Sequence, residues 1–162
     1  MRSIKYLLPY VYKYIHNKNW YKNSNKLIKS KYGNDYKLFI KLLAVISPRN
    51  SVKQNTLYAI KVFQYIKDNK PIDFKVGLAN KQISNNINKV ICNTKPSGVK
   101  VNAFIDSLNL IDGSVCIDTW ILKAFNIKRN NPTSKDIRLI TDRIKTLSSI
   151  TGLKTYEIQA CL

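Results

Sequence analysis

Apolar residues recur at three- and four-residue intervals along most of the chain, and no segment alternates with a period of two. Ile4, Leu7, Leu8, Val11 and Ile15 predict a helix over residues 3–16, which Pro9 should break or kink. Residues 19–32 predict a second helix, with Trp20, Leu27 and Ile28 turned inward and a stop at Gly33-Asn34. Residues 35–47 are the most apolar segment. Phe39, Ile40, Leu42, Leu43 and Ile46 nearly encircle it, so it should be a buried helix. Ser47-Pro48-Arg49-Asn50 ends it, and Ser51 with Gln54 opens the next helix, which should run to about Lys67. Its core candidates are Leu57, Ile60, Phe63, Tyr65 and Ile66.

After the turn Asn69-Lys70-Pro71, residues 74–92 predict one or two helices with Val76, Ile83, Ile87, Val90 and Ile91 inside. Residues 95–125 read as a helix, a short Gly-bearing turn and a second helix. Lys100 stands just inside the first of these, and Asp118 stands at the N-cap of the second, where Ile121, Leu122 and Phe125 are apolar. Asn130-Asn131-Pro132-Thr133-Ser134 should be a loop, with Ser134 capping a long amphipathic helix on Ile137, Ile140, Ile144 and Leu147. A short helix over 154–162 closes the chain. These elements predict an all-α fold in a single domain, residues 1–162, with an N-terminal helix within 1–18 and a central hairpin within 95–126.

Charge narrows the class of partner. The 162 residues hold 28 Lys+Arg against 9 Asp+Glu, a formal net charge of +19, and the first acidic residue is Asp35. Such an excess attracts polyanions at long range, so nucleic acid is the leading expected partner. An anionic membrane surface is the weaker candidate, because residues 1–16 alone have the amphipathic pattern and Pro9 interrupts it. Three scattered cysteines, Cys92, Cys116 and Cys161, form no zinc or iron–sulfur pattern, and no metal or other cofactor is expected. The same cysteine usage fits a reduced, cytoplasmic setting, and a monomer is the default. His16, the only histidine, has no visible partner and reads as a surface residue.

From spacing alone, Asp118 is a stability device worth about 1 kcal/mol and Lys100 is a solvated helix lysine. A resemblance adds to this. Gly98-Val99-Lys100-Val101-Asn102-Ala103, followed by Val115-Cys116-Ile117-Asp118-Thr119-Trp120, resembles the helix-hairpin-helix DNA glycosylase superfamily, in which a hairpin of the form L-P-G-V-G-x-K precedes V-D-T-H. The spacing from Lys100 to Asp118 is similar to that of endonuclease III-like members. Leu42–Ser51 resembles their L-S-A-Q-x-T segment, and Tyr156-Glu157-Ile158-Gln159-Ala160 resembles the C-terminal motif of small phage-encoded glycosylase-like proteins. The likeness spans roughly residues 19–160. The chain departs from the pattern in two places. Pro96-Ser97-Gly98 supplies one hairpin glycine instead of two, and Trp120 replaces the usual histidine.

The resemblance implies a base-excision DNA repair enzyme that hydrolyses the N-glycosidic bond of a damaged or modified base. Asp118 would stabilise the positive charge that builds on the sugar. Lys100 would be the amine nucleophile of a member that is also an abasic-site lyase. Lys95, Ser97 and Gly98 would grip a phosphate, and Arg49 or Asn50 would fill the space vacated by an extrahelical base. Trp20, Tyr36, Phe39 and Trp120 are candidate walls for that base. The alternative is a basic DNA-binding or structural protein that keeps the fold without the chemistry.

Overall fold

A computed structural model describes residues 1–76, 80–129 and 131–162, with only the backbone of Asn80. The expected loop position Asn130, and residues 77–79 within the expected 74–92 helical stretch, lie outside the described residues. The fold is all-α: nine α-helices and no strand occur among the described residues. They are α1 (Ile4–Lys13), α2 (Trp20–Tyr32), α3 (Tyr36–Ile46), α4 (Val52–Lys67), α5 (Asn80–Ile91), α6 (Val99–Leu108), α7 (Thr119–Ala124), α8 (Ser134–Thr151) and α9 (Thr155–Cys161).

The chain divides into two compact units. The terminal unit comprises Met1–Asn25 and Asp106–Leu162, and the central unit comprises Lys26–Ile105. In the terminal unit α1 packs on α8 and α9. Leu7, Val11, Ile121, Leu122, Phe125, Ile140, Ile144, Leu147 and Ile158 form its buried core. Of the expected break or kink, the break does not occur: Pro9 lies inside α1, which continues to Lys13. It forfeits one backbone hydrogen bond, but Leu7 and Val11 on either side are fully buried and hold the turn in place. The long helix α8 begins one residue earlier than expected. Thr133 is its N-cap, in a capping box with Asp136, and Ser134 is the first helical residue.

In the central unit α3 packs against both α4 and α5. Phe39 is buried and stacks on Tyr32 with ring centroids 3.8 Å apart, and Phe63 meets both rings edge-on. Ser51 caps α4 by accepting the Gln54 N–H, and the helix ends at Lys67 as the pattern predicts.

The inward faces differ from expectation in three places. Trp20 and Leu27 are exposed, and the buried stripe of α2 is Tyr21, Asn25 and Ile28. Leu57 of α4 is exposed, and Asn55, Ala59 and Val62 are buried instead. Ile91, at the end of α5, is also exposed. In α2 the cause is visible. The Asn25 amide donates to the Leu108 carbonyl at 2.7 Å, a tertiary bond that fixes which face turns inward.

Candidate functional site

The two residues expected to act together belong to different units, Lys100 to the central one and Asp118 to the terminal one. Each is described within its own unit.

In the central unit the loop before α6 is fastened from both sides. The buried Asn86 amide accepts the Ser97 N–H at 2.8 Å and donates to the Ser97 carbonyl at 3.0 Å. Asn102, one turn into α6, donates to the carbonyls of Pro96 at 3.0 Å and Gly98 at 2.8 Å. Gly98 has φ of +109°, a conformation that residues with a Cβ rarely adopt. The geometry of this loop therefore calls for a glycine at position 98. Lys89 reaches the Ser97 hydroxyl at 2.6 Å. Lys95, Ser97 and Gly98 are exposed, and Lys100 is partly exposed as the second residue of α6. Lys89, Lys95 and Lys100 thus crowd positive charge around a rigid turn that opens a helix, an arrangement suited to an anion.

The loop after α3 also belongs to this unit. Arg49 is exposed with φ of +61° and has no ion-pair partner among the described residues. Asn50 is engaged, because its amide donates to the Ile46 carbonyl at 2.7 Å and closes the end of α3. Of the two, Arg49 is the side chain available to a ligand. Tyr36 is partly buried with the Lys29 ammonium 5.0 Å from its ring centre. Phe39 belongs to the stacked interior described above.

In the terminal unit Asp118 is the N-cap of α7. Its Oδ1 accepts the N–H groups of Trp120 and Ile121, each at 2.9 Å. Its Oδ2 has no hydrogen-bond partner among the described residues, and the side chain is partly exposed. One oxygen thus orients the carboxylate and the other is left open. Tyr21 lies within its electrostatic reach. Burial first, then interaction with Cys116 and Asp118, push the Tyr21 phenol well above its usual range, and its hydroxyl bonds Ser107. Tyr21 is a neutral donor at any ordinary pH. Trp120 is exposed, with the Lys123 ammonium 4.6 Å from its ring centre, and Trp20 meets Tyr21 edge-on.

The segment leading to Asp118 is stitched to α9. Buried Gln159 accepts the Cys116 N–H at 2.6 Å through Oε1 and offers Nε2 to Ser107 and to the Ser114 carbonyl, both at 3.4 Å. Asp112 accepts the N–H and hydroxyl of Thr155, each at 2.9 Å, and Asp106 accepts the Ser114 hydroxyl at 2.6 Å. Burial alone would raise the Glu157 carboxyl. The Lys22 ammonium at 2.7 Å and the Lys154 N–H at 2.8 Å outweigh it and hold it below the usual range. In α9 Tyr156 and Ile158 are buried apolar anchors. The polar work of Gln159 and the Glu157–Lys22 pair is not visible in the local sequence, since Cys116 and Lys22 lie far away along the chain.

Among the described residues no cluster of three or more His, Cys, Asp or Glu could hold a metal ion. No helix among them is long and apolar enough to cross a membrane. No family model, curated protein or solved structure matches the chain.

Proposed function

We propose that this chain is a DNA glycosylase that acts on double-stranded DNA through Asp118. The observation that carries the proposal is the divided carboxylate: Oδ1 is fixed by two backbone N–H groups of α7, and Oδ2 is unpartnered on a partly exposed side chain. When the C1′–N bond breaks, its electron pair leaves with the base and positive charge develops on the sugar ring. An aimed carboxylate oxygen stabilises that charge and orients the water that adds to C1′. Lys100 is the candidate nucleophile for a second step. Its amine would add to the C1′ aldehyde of the abasic sugar, lose water to form an imine, and permit strand cleavage by β-elimination of the 3′ phosphate. The fastened hairpin with Lys89, Lys95 and Lys100 would hold a phosphate, and Arg49 would enter the duplex.

One observation favours the alternative of a binding protein without turnover. Only one of the two hairpin glycines that the resemblance expects is present, Gly98, and the peptide and hydroxyl of Ser97 beside it are already taken by Asn86 and Lys89. Asp118→Asn separates the two readings. Asparagine keeps the capping oxygen, so stability should change little, but it removes the charge. Release of modified bases should fall at least about 100-fold, in line with the loss of an electrostatic stabiliser, with DNA affinity nearly intact. Borohydride trapping on abasic duplex DNA assigns the lyase step: an adduct that Lys100→Ala abolishes makes Lys100 the nucleophile. Absence of base release and of adduct from the unaltered protein, alongside salt-sensitive binding, leaves the binding protein.

A further inference from the structure

Four buried or half-buried asparagines serve the backbone: Asn25, Asn50, Asn86 and Asn102 each close a loop or helix end. The exposed face of α5 departs from this. Gln82, Asn85 and Asn88 are exposed, and none has a side-chain hydrogen-bond partner among the described residues. With Lys81 and Lys89 they line a groove of about 630 Å³ that reaches Ser97 of the hairpin. Asparagine is a poor helix former, so the row costs α5 stability with no contact in return. The opposite face of the helix is already committed, with Ile83, Ile87 and Val90 buried. No acidic residue occurs between Asp73 and Asp106.

We infer that this face of α5 reads base edges of duplex DNA, with Gln82, Asn85 and Asn88 on the bases and Lys81 and Lys89 on flanking phosphates. The chemistry of the row selects the ligand. A carboxamide offers a donor and an acceptor side by side, which matches the N6 and N7 edge of adenine. Lysine offers only a point charge, which matches phosphate. Gln82, Asn85 and Asn88 follow one another at three-residue steps and so fall along one side of the helix. Lys81 and Lys89 are separated by about 12 Å of helix rise, comparable to the width of the major groove, about 12 Å. Asn86 is not a reader, because both ends of its amide are spent on Ser97. The inference shares its DNA partner with the glycosylase reading but does not require turnover.

The test is binding by fluorescence anisotropy, in the Asp118→Asn background, to duplexes that differ only in A·T or G·C content. The parent should prefer A·T-rich duplex. Gln82→Ala/Asn85→Ala/Asn88→Ala should lose that preference, by about fivefold or more for each amide that pairs with adenine. Its salt dependence should stay the same. Circular dichroism should show α5 intact, since alanine favours helix. Lys81→Ala/Lys89→Ala should keep the preference and flatten the slope of log affinity against log salt by about 1.8. Three outcomes overturn the inference. They are a parent without preference, a triple-alanine variant that keeps it, and a triple-alanine variant that weakens on all duplexes with a flatter salt slope. A protein that binds selectively but releases no base sinks the glycosylase reading and leaves this one standing.

Discussion

The terminal and central units differ in how many acidic groups they hold and what those groups do. The terminal unit sets 13 Lys+Arg against six acidic residues, and five of those six are hydrogen-bonded into structure: Asp106 to Ser114, Asp112 to Thr155, Asp118 to α7, Asp136 to Thr133 and Glu157 to Lys22. The central unit sets 15 Lys+Arg against three acids, and its interior is a stack of aromatic and aliphatic side chains around Phe39. Acidic groups in this chain are structural fasteners. Where few are present, positive charge is left over for a polyanion. In the proposed function the chemical group therefore rests on the stitched unit, where polar bonds fix its direction. Much of the grip rests on the charged one.

Truncating an anchor of the central unit should have the largest effect on stability. Phe39→Ala removes a fully packed ring from between Tyr32 and Phe63 and should cost about 3–5 kcal/mol. Urea denaturation measures the loss. Hydrogen exchange locates it, with protection falling first within residues 26–105. Equal loss of protection in both units would mean that they unfold as one and that the contrast has no energetic meaning.

A smaller effect is expected from the stitching of the terminal unit. Gln159→Ala leaves the buried Cys116 N–H without an acceptor and should cost about 1–3 kcal/mol. Exchange should quicken in residues 106–118 before it does so in α8. A variant with unchanged exchange at Cys116 would show that Gln159 is ornamental to that segment.

The helices and their boundaries were largely legible, because they rest on local chemistry. Ser51 as a cap, Lys67 as an end and Asp118 as an N-cap all follow from residues within a turn of one another. Choices that depend on distant partners were not legible. In α2 two apolar stripes compete, and the one holding Asn25 wins because its amide finds a carbonyl 83 residues away. The Asn-rich stretch 85–88 disfavours a helix by local propensity. The hairpin partner of Asn86 and the open row beside it emerge only in three dimensions. The same limit hid Gln159, whose partner Cys116 is 43 residues distant.

The smallest effect separates charge from packing within the stitched unit. The Thr133 hydroxyl and N–H, with the Arg129 guanidinium, hold the Asp136 carboxyl down to about 2. An unfolded aspartate titrates near 3.9, so between about 4 and 2 the unfolded chain binds more protons than the folded one. The stability contributed by this ionised group is therefore complete above about pH 4 and is lost as pH falls through about 2. Asp136→Asn should lower the melting temperature at pH 6, and the gap between variant and parent should shrink steadily as pH drops from 4 to 2. A gap that stays constant would assign the role of Asp136 to the shape of its capping box. Acid would then not distinguish the terminal unit from the central one at this residue.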